Sequence, residues 1–440
     1  MTEKTETGAT QQTEVGSVFV SNYPPYAAWN AGAVPEAHRI LALPPSPGTP
    51  LGLYLHIPFC RVRCKFCYYK VYTDMDSTQI RSYLSGLSSE VEMLAATPAV
   101  AGRPLKFVYF GGGTPSFISA KDLKSLVTRL TAAIPWTDAE EITFECEPGT
   151  LTEAKLEAIR GIGVTRLSLG VENFNDAILE ENGRAHLTPE IYRVMPWIRA
   201  AGFEQLNIDL IAGMVGETWE TWRETVRKTI ELDPDSVTTY QMELPYNTVY
   251  STELRSGQRN VPVADWTLKR AWHDYAINEM EAAGFEISTA YTMVKKGRGT
   301  RFIYRDALWR GCDMLGTGVA SFSHVNGVHF QNESEQGVYL ARLAKGELPL
   351  YRAHATTPTQ RLRRELILQF KEGRLDPAYF QTKFGVSIQV EFATAFAALR
   401  RDGLLLDDGG VLRLTREGLL KVDSLLSEFY EPEFQNTRYT

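Results

Sequence analysis

The stretch LYLHIPFCRVRCKFC, residues 53–67, joins a β-strand pattern directly to a loop with three cysteines. Its first five residues are mostly apolar or aromatic, as is typical of a buried strand, and Pro58 ends that strand. Cys60, Cys64 and Cys67 therefore lie just beyond the carboxyl end of a predicted strand. Folds built from parallel strands place their active sites at this end, so the stretch indicates both a fold class and a site.

Strand-like apolar runs recur along the chain between segments of helical periodicity. The runs lie at 53–57, 107–110, 142–146, 166–171, 205–214, 236–244 and, more weakly, 285–288. The helical segments between them include 77–96, 120–133, 152–162 and 218–232. This alternation predicts an α/β fold made of parallel βα units. The number of units favours a partial (β/α)6-type, TIM-like barrel, with an open doubly wound sheet as the structural alternative.

One face of several predicted strands is polar, although a strand buried on both faces should be apolar throughout. Side chains alternate along a strand, which groups the polar residues into rows. The rows are Tyr54 with His56; Thr143 with Glu145 and Glu147; Ser168 with Gly170 and Glu172; Asn207 with Asp209; and Thr239 with Gln241 and Glu243. An unpaired buried carboxylate costs several kcal/mol. A barrel lumen lined by these rows is therefore expected to hold a ligand.

The spacing of the three loop cysteines indicates a metal centre. Structural zinc sites take four nitrogen or sulfur ligands, and Cys146 and Cys312 lie far along the chain in apolar surroundings. An iron–sulfur cubane held by three thiolates leaves one iron open for a ligand. Basic loop residues, Arg61, Arg63 and Lys65, are expected to offset its negative charge. A structural zinc and incidental cysteines remain the alternatives, while Cys146 and Cys312 are expected to be core residues.

Composition and termini exclude several classes of protein. The formal net charge of the 440-residue chain is −7, and no basic segment stands out, which argues against binding to nucleic acid or a membrane surface. The N-terminus lacks the basic and apolar segments of a signal peptide. No apolar run reaches the roughly eighteen residues of a membrane span. We therefore expect a cytoplasmic protein, and five cysteines are too few for a disulfide scaffold.

The sequence divides into four segments. Residues 1–16 have the composition of a disordered tail, and residues 17–50 that of an irregular, aromatic N-terminal arm. Residues 51–350 carry the barrel pattern. Residues 351–440 predict three helices, a β-hairpin and a final helix, which suggests a winged-helix-like domain. Residues 356–440 contain twelve basic and twelve acidic side chains, so packing against the barrel is favoured over DNA binding.

Several motifs follow the cysteines in a fixed order. They are Gly111-Gly-Gly-Thr-Pro-Ser116, Glu145-Cys-Glu-Pro148, Arg166-Leu-Ser-Leu-Gly-Val-Glu-Asn-Phe174, Gly183-Arg-Ala-His186, Asn207-Ile-Asp-Leu-Ile-Ala-Gly-Met214, Tyr240, Gly316-Thr-Gly-Val-Ala-Ser-Phe322, Asn332, Tyr339 and Gly346. Together with the C-x₃-C-x₂-C triplet, this set resembles the radical SAM superfamily. Within that superfamily, the chain is similar to the oxygen-independent coproporphyrinogen III oxidase-like family over roughly residues 50–430.

The resemblance implies cofactors, partners and residue roles. A [4Fe–4S] cluster on Cys60, Cys64 and Cys67 would bind S-adenosylmethionine (SAM) and cleave it to a 5′-deoxyadenosyl radical, with one or two SAM molecules bound. The residues implied in binding SAM are Tyr54, Gly111, Gly112, Gly113, Thr114, Glu145, Glu172, Arg184 and Asp209, of which Tyr54 and Glu145 are the catalytic candidates. A reductant such as flavodoxin or ferredoxin and a small-molecule substrate are expected, with the chain acting as a monomer.

The chain departs from the family at positions that bear on the substrate. Tyr68 and Tyr69 follow the last cluster cysteine, where coproporphyrinogen oxidases carry an additional cysteine, and Glu172 stands where they typically have Gln. The segment 329–332 matches the His-Asn-x-x-Tyr motif of the heme-chaperone branch poorly. The leading hypothesis is therefore C-methylation or cyclopropane formation with a second SAM. The alternatives are oxidative decarboxylation of coproporphyrinogen III and a non-catalytic heme chaperone.

Overall fold

The structure is a computed structural model, and it describes residues 12–435. Of the predicted disordered tail, residues 1–11 lie outside the described residues. The remaining tail residues lie against the barrel, because Val15 and Gly16 form β-bridges with Leu244. Across residues 12–435, no helix has both the length and the apolar character that a membrane span requires.

The described strands form two sheets, one of twelve strands and one of three. The strands are β1 (Leu51–Ile57), β2 (Leu105–Gly112), β3 (Glu141–Cys146), β4 (Arg166–Glu172), β5 (Gln205–Ala212), β6 (Ser236–Gln241), β7 (Phe285–Ile287), β8 (Thr292–Lys295), β9 (Asp313–Thr317), β10 (Phe322–Val325), β11 (Val328–Asn332), β12 (Leu350–Ala355), β13 (Arg374–Leu375), β14 (Leu405–Asp408) and β15 (Val411–Leu414).

The larger sheet has the strand order β12-β11-β10-β9-β1-β2-β3-β4-β5-β6-β8-β7. The strands from β9 through β1 to β6 are parallel to their neighbours. Antiparallel strands extend both edges, and the two edge strands do not pair with each other. Strands β1 to β6 follow one another without the reversal of order that defines a doubly wound sheet. The predicted partial (β/α)6-type barrel is therefore confirmed.

Helices cover the convex side of the barrel and build the C-terminal domain. They are α1 (Val34–Leu41), α2 (Ser77–Ala95), α3 (Ala120–Ala133), α4 (Glu153–Gly161), α5 (Asp176–Glu181), α6 (Thr188–Ala201), α7 (Trp219–Glu231), α8 (Val249–Ser256), α9 (Trp266–Ala282), α10 (Ile303–Trp309), α11 (Gln336–Ala344), α12 (Pro358–Phe370), α13 (Pro377–Phe384), α14 (Ile388–Glu391), α15 (Ala393–Arg401), α16 (Arg416–Leu420) and α17 (Val422–Leu425). The barrel helices begin at capping side chains such as Asp76, Ser119 and Thr218, each of which accepts a backbone N–H of the first turn.

The strand register defines which side chains face the concave side, the lumen. Tyr54 lies beside Tyr109, and Glu145 lies beside Ser168, on that face. The predicted row on β6 is wrong, because Asp209 pairs with Thr238 and not with its neighbour Thr239. Thr238 and Tyr240 therefore share the lumen face. Thr239 and Gln241 point the other way, and Gln241 Nε2 lies 3.3 Å from His273 Nδ1 of the outer helix α9.

The N-terminal arm spans the open side of the barrel between its two edges. Near β6, the Glu243 carboxylate accepts hydrogen bonds from the Ser17 hydroxyl and from the next two backbone N–H groups. Near β12, Asn30 forms a bridge with Ala353, and α1 packs against β11 and β12. The arm thus supplies a wall where the sheet has none.

The C-terminal segment forms its own core and a three-stranded sheet. Leu366, Phe380, Phe396 and Leu412 are fully buried in this core. Strand β12 belongs to the barrel sheet, so the barrel extends through Ala355 and past the predicted boundary after residue 350. The β14–β15 hairpin matches the predicted wing, with β13 added along its other edge.

Candidate active site

The loop after β1 brings the three thiols together. Backbone hydrogen bonds from the Cys60 N–H to the Tyr72 carbonyl and from the Cys67 N–H to the Cys64 carbonyl fold the loop back on itself. Burial raises the pKa of Cys60 to about 11 and that of Cys67 to about 12, and the nearby Cys64 thiol contributes to both increases. The three thiols therefore lie near enough to one another to interact electrostatically.

The loop supplies three thiol donors, the number that holds an iron–sulfur cubane with one iron left open. Among residues 12–435, no three Cys, His, Asp or Glu side chains converge closely enough to hold one metal ion. Three thiolates of a cubane bind three different irons, so their sulfur atoms lie farther apart than ligands of one ion. Gly113 lets the Cys60 sulfur approach the backbone closely, because a Cβ at this position would lie 2.9 Å from Cys60 Sγ. The Thr114 hydroxyl donates to the same sulfur at 3.3 Å.

The positive charge nearest the thiols comes from outside the loop. Arg184, which follows α5, lies with Nη1 at 3.5 Å from Cys64 Sγ. Of the loop residues expected to offset the cluster charge, Arg61 is bound to Glu147 and Lys65 to Glu181. The third, Arg63, donates to backbone carbonyls. The guanidinium of Arg184 therefore supplies the most direct charge compensation.

Strand β2 ends in glycines that pack against the lumen residues of β1. Gly112 has a φ of +116°, and a Cβ there would lie 2.6 Å from the His56 ring. A Cβ on Gly111 would lie 2.8 Å from the Tyr109 ring and 3.1 Å from the Tyr54 ring. We expected these glycines to give a ligand close access to the backbone. The missing Cβ atoms also make room for the protein's own Tyr54, Tyr109 and His56 rings, which pack against these glycines.

Glu145 is held in place by β2. Its carboxylate accepts a hydrogen bond from the Tyr109 hydroxyl at 2.6 Å and another from the Gly112 N–H at 3.2 Å. Burial raises the pKa of Glu145 to about 7, and the nearby Asp209 carboxylate adds to the increase. A cation bound in the lumen would lower the pKa of Glu145 and so oppose both increases. Glu145 is therefore suited to hold a positively charged ligand.

Asp209 sits in a hydrogen-bonded row on β4 and β5. The Ser168 hydroxyl donates to it at 2.7 Å, and Asn207 Nδ2 donates to its other oxygen at 2.9 Å. Burial raises the pKa of Asp209 despite these donors. The row confirms the predicted phase of β4 and β5, and it keeps a second carboxylate on the lumen side.

Glu172 and Arg184 form a pair beside the cysteine loop. Glu172 has a φ of +64° at an irregularity of β4, which turns its side chain toward Arg184. Glu172 Oε1 lies 3.5 Å from Arg184 Nη2, and the same nitrogen donates to the Gly170 carbonyl at 2.8 Å. Burial raises the pKa of Glu172 to about 7. Both side chains are thus close to the thiols and available to polar groups of a ligand.

Tyrosines line the lumen to an extent that the sequence did not indicate. They are Tyr54, Tyr68, Tyr69, Tyr109, Tyr240 and Tyr304, whose pKa values are all raised, with burial or a neighbouring tyrosine as the largest cause. The rings of Tyr68 and Tyr69 stack at 4.5 Å. Each nevertheless remains about two-fifths exposed, at 40% and 43%, because it faces open space. Tyr109 could have been placed in the lumen from the sequence, because it lies two residues before Gly111 on β2. Tyr304 could not, because it follows an irregular segment in which no strand or helix pattern predicts the direction of a side chain.

The buried histidines have structural partners. His186 lies between the Glu147 carboxylate at 3.1 Å and the Val171 carbonyl at 3.2 Å. His324 and His329 lie 3.1 Å apart through their Nδ1 atoms. His56 lies in the lumen, 3.3 Å from the Tyr54 hydroxyl, and burial lowers its pKa to about 4.

Two family models match separate parts of the chain. Residues 54–229 match the Radical SAM superfamily, and residues 356–420 match the HemN C-terminal domain. The first range contains the three thiols and the lumen carboxylates Glu145, Glu172 and Asp209. The second begins after β12, where the barrel ends.

Relatives match over most of the chain. An oxygen-independent coproporphyrinogen III oxidase of Synechocystis is 26% identical over 404 residues, which cover 87% of this chain and 85% of the relative. A heme chaperone HemW of Bacillus subtilis is 26% identical over 379 residues, which cover 86% of this chain and 98% of the relative. The solved structure of coproporphyrinogen III oxidase (HemN) from Escherichia coli has a TM-score of 0.80 and 24% identity, over 95% of this chain and 99% of that one. The fold is therefore shared from the arm to the C-terminal domain.

Proposed function

Because residues 54–229 match the Radical SAM superfamily, we propose that the chain binds a [4Fe–4S] cluster through Cys60, Cys64 and Cys67 and cleaves SAM beside it. One observation carries this proposal. The three thiols share the loop at the carboxyl end of β1, directly beside the glycines of β2 and the Glu145 carboxylate. When bound, the cluster supplies the electron that cleaves SAM to methionine and a 5′-deoxyadenosyl radical.

The lumen residues would bind and orient SAM. Glu145 and Asp209 are buried acceptors whose neighbours already fix their orientation, so either accepts a hydrogen bond from an ammonium or ribose hydroxyl at little entropic cost. Thr114 and the β2 glycines border the same space. Arg184 would place its positive charge beside the Cys64 sulfur and present its guanidinium to a carboxylate.

For the overall reaction, we propose oxidation of a small-molecule substrate, as in oxygen-independent coproporphyrinogen III oxidases, which remove propionate carboxyl groups as CO₂. Support comes from the similarity to such an oxidase over 87% of the chain and from the shared fold over 95%. The comparisons thus favour the oxidase alternative over the methylation or cyclopropane formation that the sequence analysis placed first.

Carbon transfer with a second SAM stays a second candidate because of one feature of the lumen. Glu172 is a further carboxylate beside Arg184, and burial raises its pKa to about 7. A second sulfonium cation would stabilise its ionised form. Glu172 is distinct from the pair, Glu145 and Asp209, that one SAM would occupy.

A heme-chaperone role is less well supported by the histidines. His324 and His329 are buried, and Trp29 stacks on the His329 ring at 5.0 Å. His329 Nε2 lies 3.2 Å from the Tyr23 carbonyl. A heme iron would have to displace these partners to gain an axial ligand from either residue.

Replacement of Cys64 by Ala tests the cluster assignment. Anaerobically reconstituted wild-type protein should hold about four irons per chain, show brown absorbance and cleave SAM. Cys64→Ala should lose the iron, the colour and the cleavage. Cys146→Ala is the matched control, since Cys146 is buried at the end of β3 outside the loop and should keep all three properties. A Cys64→Ala protein with full iron and SAM cleavage would refute the assignment.

Product analysis separates the candidate reactions. Incubation with coproporphyrinogen III, SAM and dithionite should yield 5′-deoxyadenosine together with CO₂ if the chain is an oxidase. Carbon transfer would instead give S-adenosylhomocysteine beside 5′-deoxyadenosine. Heme binding without either product would support the chaperone. SAM cleavage that no porphyrinogen stimulates, and that releases no CO₂, would rule out the oxidase reaction.

A further inference from the structure

A basic and aromatic surface lies on the solvent side of the cysteine loop. It consists of Val62, Arg63, Tyr246, Arg255 and Arg259, which we name the loop patch. Val62 is 44% exposed and Tyr246 is 43% exposed, so both side chains offer apolar or aromatic area to a partner. In a chain with a net charge of −7, three arginines on one small surface stand out.

Contacts between these residues make the patch continuous. Arg63 Nη2 donates to the Asn247 carbonyl at 3.0 Å, next to Tyr246. The guanidinium of Arg255 lies 3.5 Å above the Tyr246 ring, and it also donates to the Tyr246 carbonyl. The arrangement ties the cysteine loop to α8 and keeps the arginines on one side.

Arg259 completes the patch through a carboxylate that it shares with the loop. Glu181 Oε1 lies 2.7 Å from Arg259 and 3.5 Å from Lys65, which lies between two of the thiols. Two cations, Arg259 and Lys65, thus share the Glu181 carboxylate. Within residues 12–435, Arg63 and Arg255 instead contact backbone carbonyls and the Tyr246 ring, so the surface keeps a positive excess. Arginine and tyrosine are also the residue types that contribute most to protein interfaces.

The patch is separated from the thiols by little more than the loop backbone. Val62 and Arg63 occupy the span between Cys60 and Cys64, and both are exposed. An electron that enters through this span crosses only the loop to reach a cluster on the thiols. The lumen side is less accessible, because the arm spans it.

We infer that the loop patch is the docking surface for a small acidic electron-transfer protein that delivers one electron at a time to the cluster. The inference rests on the proposed function, since a cluster on the thiols requires one electron for each reductive cleavage of SAM. In each encounter the partner is oxidised by one electron and the cluster reduced by one. Weak redox encounters bury less than about 1,200 Å², an area that a patch of this kind can supply. Complementary charge would accelerate the encounter and make it sensitive to salt.

Charge reversal in the patch tests the inference with a reduced bacterial flavodoxin as the acidic probe. Arg255→Glu/Arg259→Glu should weaken flavodoxin binding, measured by calorimetry on the reconstituted protein, at least about tenfold at low salt. The rate at which flavodoxin bleaches the cluster absorbance should fall by a similar factor. Arg400→Glu/Arg401→Glu is the matched control, because these exposed arginines of α15 make the same change of charge in the C-terminal domain.

Dithionite separates docking from cluster chemistry. As a small reductant it needs no docking surface, so it should reduce the cluster and drive SAM cleavage equally in wild type and both double variants. Unchanged binding and unchanged flavodoxin reduction in Arg255→Glu/Arg259→Glu would overturn the inference while leaving the proposed function intact. Failure of dithionite to support SAM cleavage in wild type would instead overturn the proposed function. The milder Arg255→Gln variant should weaken flavodoxin binding about threefold. If neither this variant nor the double variant binds flavodoxin more weakly than wild type, the patch is not the docking surface.

Discussion

Glu145 combines a buried carboxylate with a fixed orientation, so under the proposed function its ionisation is coupled to SAM binding. Its pKa of about 7 means that the carboxyl is largely protonated at pH 6 and largely ionised at pH 8. A cationic group of SAM binds the ionised form, so binding releases a proton and affinity rises with pH. We expect the affinity of the reconstituted protein for SAM to increase about tenfold from pH 6 to pH 8.

Titration calorimetry at several pH values measures this dependence. The control is Glu145→Gln, which keeps the shape of the side chain and the Tyr109 contact but cannot ionise. It should bind SAM more weakly and show a flatter profile. Equal slopes in wild type and Glu145→Gln would show that another group is responsible.

At this scale the sequence predicted the positions of the candidate ligands better than their surroundings. The cysteines lie in one loop after β1, and Glu145 lies on β3 beside the end of β2, as their short local motifs indicated. Their role as ligands stays a prediction. Thr239 and Gln241 were assigned to the wrong face, because a shift of one residue in strand phase moves every side chain across the sheet. The charge partner of Cys64 was not predicted either, since Arg184 comes from a distant turn of the chain.

Among the elements, the end of β2 is the most tightly constrained. Gly112 combines a positive φ with a close approach to the His56 ring. Gly112→Ala should destabilise the protein by about 2–4 kcal/mol, because backbone strain and a steric clash add. It should also reduce cluster loading, since the neighbouring Gly113 packs against the Cys60 sulfur.

Urea unfolding of Gly112→Ala against Gly102→Ala measures the two contributions. Gly102 also has a positive φ, +72°, but nothing lies within 4 Å of its hypothetical Cβ. Its replacement should cost about 1 kcal/mol from strain alone. Equal losses of unfolding free energy in the two variants would mean that the structure relieves the clash between the new Cβ and the His56 ring without a cost in stability.

The elements themselves were largely predictable. Helices α2, α3, α4 and α7 were predicted at the right places because their apolar faces and capping residues are local signals. The antiparallel strands β10, β11 and β12 were not, because nothing in a short strand identifies the edge that it will join. The predicted boundary at residue 350 fell inside β12 for the same reason.

For the whole molecule, Asp423 is the point at which three parts of the chain meet. Its carboxylate accepts hydrogen bonds from the Val20 N–H of the arm at 2.9 Å and from the Tyr291 hydroxyl of the barrel. It also pairs with Lys371 at 2.8 Å, a lysine that is buried in the C-terminal domain. Asp423→Ala should cost about 3–5 kcal/mol, because it leaves Lys371 buried without a counter-charge.

Thermal unfolding provides the measurement. Asp407→Ala is the control, since Asp407 pairs with Arg400 on the surface of the same domain and should change stability by less than about 0.5 kcal/mol. The Asp423→Ala protein should also expose the arm to limited proteolysis near Val20. A melting temperature unchanged from wild type would show that the three parts are held together elsewhere.

The arrangement around Asp423 has a consequence for the order in which the molecule is completed. Residues of the arm are synthesised before the barrel, yet Val20 and Tyr23 find their partners at Asp423 and Glu431, which follow 403 and 408 residues later. Until these partners are made, the nascent barrel has a sheet but lacks one side wall. Domains fold as they emerge, so the arm settles after the barrel although it is translated before it.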